Sequence, residues 1–156
     1  MEEKTMVMKI LDAKKIQYNH YSYVADSQTT GIEIAKMLNE DPKNVFKTLV
    51  TIGKSGKNYV FVIPVEKELD LKKAAKSVNE KYIEMIKSKD LLMITGYIHG
   101  GCSPIGMKKT LITFFDESIN KLDKVIFSGG KIGFQVELNV KDLYKVVNYK
   151  TADLII

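Results

Sequence analysis

Apolar residues recur at two periods along this chain, and the switches between them mark its elements. Met6, Val7, Ile10 and Leu11 fall at helical spacing within residues 5–15, with lysines and Asp12 between them, which predicts an amphipathic helix. Residues 18–24, rich in tyrosine, read as extended. Thr30 and Glu33 have capping-box spacing, which predicts a helix running to about residue 39 and stopping before Asp41-Pro42. Two apolar runs, 45–52 and 59–65, flank Gly53-Lys54-Ser55-Gly56-Lys57, the pattern of a β-hairpin. Residues 71–77 and 80–87 predict two helices, and residues 139–147 a closing one. Short strands are expected at 97–98, 111–115, 125–127 and 134–138, with glycine-rich loops at 100–106 and 129–133. Adjacent hairpin strands, with helices that do not alternate regularly, predict an α+β fold with a mixed sheet. No linker or repeat divides the chain, so one domain over residues 1–156 is expected.

Lys47 breaks the apolar pattern. It interrupts Val45-Phe46-Lys47-Thr48-Leu49-Val50 and, on a period of two, shares a face with Val45 and Leu49. An ammonium there must reach water, line a polar pocket, or protect an exposed sheet edge. The loop Gly100-Gly101-Cys102-Ser103-Pro104-Ile105-Gly106 has the glycines for close backbone approach and an anion-binding concavity. It is not a nucleotide-triphosphate loop, because Met107 stands where that motif needs lysine. Ser128-Gly129-Gly130-Lys131-Ile132-Gly133 repeats the theme, and tight turns between strands account for either loop equally simply.

Composition narrows the classes. The 24 basic and 19 acidic residues leave a net charge of +5, and every basic residue is lysine. Without arginine's planar fork, base-specific DNA reading is disfavoured, whereas non-specific attraction to a nucleic-acid backbone remains open. No apolar run approaches the ~18 residues of a membrane span. Met1-Glu2-Glu3-Lys4 lacks the order of a secretory signal. The lone Cys102 excludes an internal disulfide and a multi-cysteine metal site, and a reducing cytoplasm is the simplest location. His20 and His99 would need further ligands that the sequence does not mark to hold a metal, and no cofactor is expected. Cys102 reads better as a small buried group than as a nucleophile, since His20 and His99 have no telling spacing from it. Asp116-Glu117 point to opposite sides of a strand and do not suggest paired-carboxylate chemistry.

Taken together and in order, the Lys47 strand motif, Gly96-Tyr97-Ile98-His99-Gly100-Gly101-Cys102-Ser103-Pro104-Ile105-Gly106, and the Ser128–Gly133 loop resemble the YbaK/EbsC family of aminoacyl-tRNA deacylases. These are related to the editing domain of bacterial prolyl-tRNA synthetases. The resemblance implies a compact domain on a mixed, strongly curved sheet flanked by helices. It implies Lys47 as the essential residue, with Thr48 beside it. Gly100, Gly101, Ser103, Ser128, Gly129 and Gln135 would contact substrate, with Tyr23 as the pocket tyrosine and Tyr21 as the alternative. Many members carry arginine where His99 and Ile132 stand, and some carry aspartate where Gln135 stands. Gln135 can hydrogen-bond but cannot act as a base.

The implied activity is removal of cysteine from mischarged tRNA(Pro), and from Cys-tRNA(Cys), by attack of the substrate thiol on its own ester. The implied partners are the aminoacyl-tRNA and prolyl-tRNA synthetase, with neither membrane nor DNA. Two alternatives stand beside it. One is an Ala-tRNA(Pro) deacylase that uses water, and the other is a non-catalytic tRNA-binding or regulatory module.

Overall fold

The computed structural model describes residues 3–156, so the acidic opening Met1-Glu2 lies outside it. Helix α1 (Met6–Ala13) starts where the Thr5 side chain accepts from the Met8 N–H, and it buries Val7, Met8 and Leu11. Strand β1 (Tyr18–Ser22) follows, then α2 (Gly31–Met37), opened by the complete Thr30/Glu33 capping box. The hairpin is β2 (Phe46–Gly53) and β3 (Asn58–Pro64), in register from Phe46 opposite Pro64 to Ile52 opposite Asn58. The remaining elements are α3 (Leu71–Ser77), β4 (Ile83–Met85), α4 (Ser88–Thr95), β5 (Ile112–Asp116), β6 (Lys124–Ser128), β7 (Phe134–Asn139) and β8 (Tyr149–Ala152). Short 3-10 helices occupy Glu117–Lys121 and Val140–Lys145.

The α+β class holds, with strands hydrogen-bonded as two sheets. One is antiparallel, in the order β1-β7-β6, and the other is mixed, in the order β4-β2-β3-β5-β8. A single parallel bridge, Val45 to Ile126, joins them. Strand β3 is central to the mixed sheet, and its unbroken apolar run is explained by burial on both faces. Val60 and Val62 face a large core shared with α1, α4 and the three-stranded sheet, while Tyr59, Phe61 and Ile63 pack against α3. A third cluster, Ala35, Val45, Val65 and Ile126, seats α2 over the junction of the sheets.

Several expected elements differ. Residues 80–87 do not form a helix, because β4 pairs along the far end of β2, Thr51 opposite Met85 and Gly53 opposite Ile83. Asn79 adopts a left-handed conformation that ends α3, and the Glu80 carboxylate then accepts from the Ser55 amide, the Ser55 hydroxyl and the Tyr59 hydroxyl. Residues 97–98 are not a strand. Gly96, at φ 82°, caps α4 in the left-handed region, and the buried Tyr97 hydroxyl donates to the Ile105 carbonyl, bracing the loop. Loop 100–106 therefore follows a helix, α4, rather than a strand. The closing segment forms a 3-10 helix in place of the expected helix over residues 139–147.

Candidate functional site

The site begins at the Val45–Ile126 bridge. Beyond it β2 and β6 make no further pairing, and two residues along each strand Lys47 and Ser128 both line one cavity of about 460 Å³. Strand β4 pairs with only the Thr51–Gly53 end of β2, so residues 46–49 have β3 on one side and no strand paired on the other. The pocket and sheet-edge readings of Lys47 thus converge, because the local edge of β2 is the cavity wall. The β2 side chains there come from both faces of the strand, Lys47 and Leu49 from one and Phe46 and Thr48 from the other. Tyr23, the start of α2 and the Ser27–Thr30 turn, His99, Gly100, Cys102, Phe127 and Gln135 complete the wall. Two other grooves enclose about 670 and 580 Å³, yet neither contains Lys47 or a glycine loop.

Lys47 is half-buried, and no hydrogen bond or ion pair among the described residues engages its ammonium. Among the described residues it is the only lysine on the cavity wall, and the exposed Glu68 is the only carboxylate. Beside it the Thr48 Oγ1 is buried without a hydrogen-bond partner. An orphaned hydroxyl costs roughly 1–3 kcal/mol, so this one is available to pair with a ligand or a water in the cavity.

The two glycine loops touch. A Cβ on Gly101 would sit 3.1 Å from the Ile132 nitrogen and 3.2 Å from the Lys131 carbonyl carbon. Helix α1 supports both loops from behind, since a Cβ on Gly106 or Gly130 would collide with Ile10 or Val7 respectively. Ser128 Oγ accepts from the Gly130 N–H at 3.1 Å, which leaves its own proton free to donate. Of the residues expected at the site, Tyr23, Lys47, Thr48, Gly100, Ser128 and Gln135 line the cavity. Gly101, Ser103 and Gly129 do not. Gly101 packs on the other loop, the fully buried Ser103 hydroxyl accepts from the Ile105 N–H, and Gly129 donates to the Phe134 carbonyl. Tyr21 faces the neighbouring groove and donates to Glu137, so Tyr23 is the cavity tyrosine.

Cys102 reaches the cavity wall, but burial pushes its thiol up to about 12. A thiol with that pKa holds almost no thiolate at neutral pH, so it is a poor nucleophile. His99 shares the wall, whereas His20 lies in another groove. No group of three or more His, Cys, Asp or Glu side chains suited to a metal occurs among the described residues. Glu40 escaped the sequence reading altogether. It accepts from the Gln135 amide, and burial pushes its carboxyl up to about 7. Only its place after α2, before Asp41-Pro42, was visible in sequence, and nothing there connects it with β7.

A mixed α+β fold brings a lysine, an orphaned hydroxyl and glycine-loop backbone around one small cavity, a donor set that suits a small acyl or anionic group. The aminoacyl-tRNA editing domain profile matches residues 26–146. A protein of Enterococcus faecalis (strain ATCC 700802 / V583) named "Putative Cys-tRNA(Pro)/Cys-tRNA(Cys) deacylase EbsC" is 38% identical over 154 residues, covering 98% of this chain and 94% of that one. The crystal structure titled "a putative trans-editing enzyme for prolyl tRNA synthetase" matches with TM-score 0.82 at 24% identity, over 96% of this chain and 94% of that one. That of hypothetical protein APE2540 matches with TM-score 0.85 at 20% identity, over 96% and 99%. Both structural likenesses concern the fold. The chain belongs to the aminoacyl-tRNA editing domain family.

Proposed function

We propose that this chain is a trans-editing aminoacyl-tRNA deacylase that removes cysteine from mischarged tRNA(Pro) and from Cys-tRNA(Cys), the whole chain acting as one editing domain. The observation that carries the reading is a cavity with an unpaired ammonium and an orphaned hydroxyl but no activated nucleophile of its own. On this reading the substrate brings the nucleophile, and cysteine carries one. Its sulfur attacks the ester carbonyl carbon, the bond to the tRNA 3′-oxygen breaks, and the thiol proton ends on that oxygen. The aminoacyl group leaves as a cyclic thiolactone. Enforced proximity of this kind is worth on the order of 7–11 kcal/mol in favourable cases.

The protein's task is then to fold the aminoacyl group and to stabilise the oxyanion. Lys47 and the Thr48 hydroxyl meet developing negative charge, with the Gly100 backbone and the Ser128 hydroxyl around it. The lysine-only charge excess attracts the tRNA backbone, prolyl-tRNA synthetase is the second partner, and the cytoplasm is the site of action. No helix among the described residues is long and apolar enough to cross a membrane. Deacylation of tRNA(Pro) charged with Cys, Ala or Ser tests the reading. Cys-tRNA(Pro) should be cleared fastest. A preference for Ala-tRNA(Pro) would require water as nucleophile, and cleavage of none would leave a binding module.

A further inference from the structure

We propose that Glu40 is a positioning residue of this site, whose carboxylate holds the Gln135 side-chain amide by its NH2 end and so turns the carbonyl oxygen toward the cavity as a fixed acceptor for the substrate α-amino group. This rests on the deacylase reading above. Gln135 lies on β7, the central strand of the three-stranded sheet, opposite Tyr21 on β1 and Ser128 on β6. Its backbone is therefore held on both sides. Its side chain is only 3% exposed and forms part of the cavity wall. With the amide assigned in the orientation that satisfies its hydrogen bonds, Nε2 donates to Glu40 Oε2 at 2.7 Å and to Oε1 at 3.2 Å.

Glu40 itself is not on the cavity wall but lines the adjacent groove, so it acts from behind Gln135. It too is held, because its N–H donates to the Ala35 carbonyl at 2.8 Å after a left-handed Asn39. An amide has a donor end and an acceptor end of nearly equal shape, so a glutamine alone does not define which one a pocket presents. A carboxylate only accepts, and that removes the ambiguity.

The ionisation of Glu40 then governs the orientation. Burial raises its carboxyl to about 7, the repulsion of Glu137 on β7 adds to this, and the Gln135 bond opposes it. Tyr21 and Tyr23 also couple to Glu40, and Asp41, Lys121, Asp123 and Lys124 share its groove. When protonated, Glu40 can donate to the Gln135 carbonyl instead, which turns the NH2 group toward the cavity. Deacylation should therefore gain from Glu40 ionisation as pH rises through neutrality.

The test combines two measurements on the full chain. The side-chain amide nitrogen of Gln135, followed by NMR in labelled protein, should titrate near pH 7 in the wild type and stop doing so in Glu40→Gln. Single-turnover deacylation of Cys-tRNA(Pro) at pH 8 should fall about tenfold in Glu40→Gln, mainly through weaker substrate binding, and the wild-type to variant ratio should shrink toward pH 6. In a Gln135→Leu background, Glu40→Gln should cause no further loss. An amide resonance indifferent to pH and to Glu40→Gln would overturn the clamp. An undiminished rate in folded Glu40→Gln, or an equal further loss in the Gln135→Leu background, would overturn its role in positioning. A wild type that deacylates nothing would sink the deacylase reading and the positioning role with it, while the amide titration separately decides whether the clamp exists.

Discussion

Replacing Gly101 by alanine probes the contact between the two glycine loops. The added Cβ would stand 3.1 Å from the Ile132 nitrogen and 3.2 Å from both the Cα and the carbonyl carbon of Lys131. Comfortable contacts lie near 3.5–4.0 Å, so one loop must retreat by about half an ångström. All three neighbours are backbone atoms and cannot swing aside like a side-chain end. Overpacking of this kind costs about 1–3 kcal/mol. At this chain length each kcal/mol lowers Tm by about 2–4 °C. The retreat also moves Gly100, which lines the cavity, so deacylation should fall along with stability. Gly56 is the control. It sits in the β2–β3 turn at φ 88° with open space around its Cβ, so alanine there carries only a conformational cost of about 1–2 kcal/mol. Urea titration and single-turnover deacylation of both variants make the comparison. The reasoning fails if Gly101→Ala matches the wild type in both midpoint and rate, or if Gly56→Ala loses activity while folded.

Further predictions follow from individual groups. Lys47→Ala should abolish deacylation and leave Tm within a few degrees, because the ammonium has no ion-pair partner to strand; a folded mutant with normal turnover would reduce Lys47 to a guard of the β2 edge. Cys102→Ala should retain most of the activity, since its thiol stays protonated near neutral pH, and an acyl-enzyme trapped on Cys102 would contradict this. Glu40 has a folded-state pKa raised above its unfolded one, so its contribution to stability is present below about pH 4.5 and is lost as pH rises through about 7. Discounted for partial exposure, that loss is about 1–2 kcal/mol, and Glu40→Gln should remove the corresponding slope from stability measured between pH 5 and 8. An unchanged slope in the variant would show that other groups produce it.

Local pattern made the hairpin, α1 and the α2 capping box legible, because each depends on periodicity or on residues three apart. Residues 80–87 misled because their alternative is decided at a distance, by the unpaired end of β2 and by the Ser55 and Tyr59 partners of Glu80. Tyr97-Ile98 resembled a strand fragment, but the Gly96 cap and the Ile105 carbonyl settle its course. Lys47 was visible as a charge in an apolar strand, whereas the role of cavity wall depended on β2 and β6 diverging after Ile126. Ser103 and Gly129 looked like ligand-facing loop residues and serve instead to hold those loops closed. The Glu40–Gln135 pair could not be read at all, because it joins the end of α2 to β7 through a fold that no local signal encodes.

The central claim is that the substrate supplies the nucleophile. Its most direct test compares single-turnover deacylation of Cys-tRNA(Pro) with that of the same tRNA carrying S-methylcysteine, a thioether of nearly equal shape. The account predicts rapid release from the first, with a thiolactone or its hydrolysis product detected, and a rate close to spontaneous hydrolysis for the second. Comparable enzymatic rates on both would contradict it and require a water or protein nucleophile in the cavity.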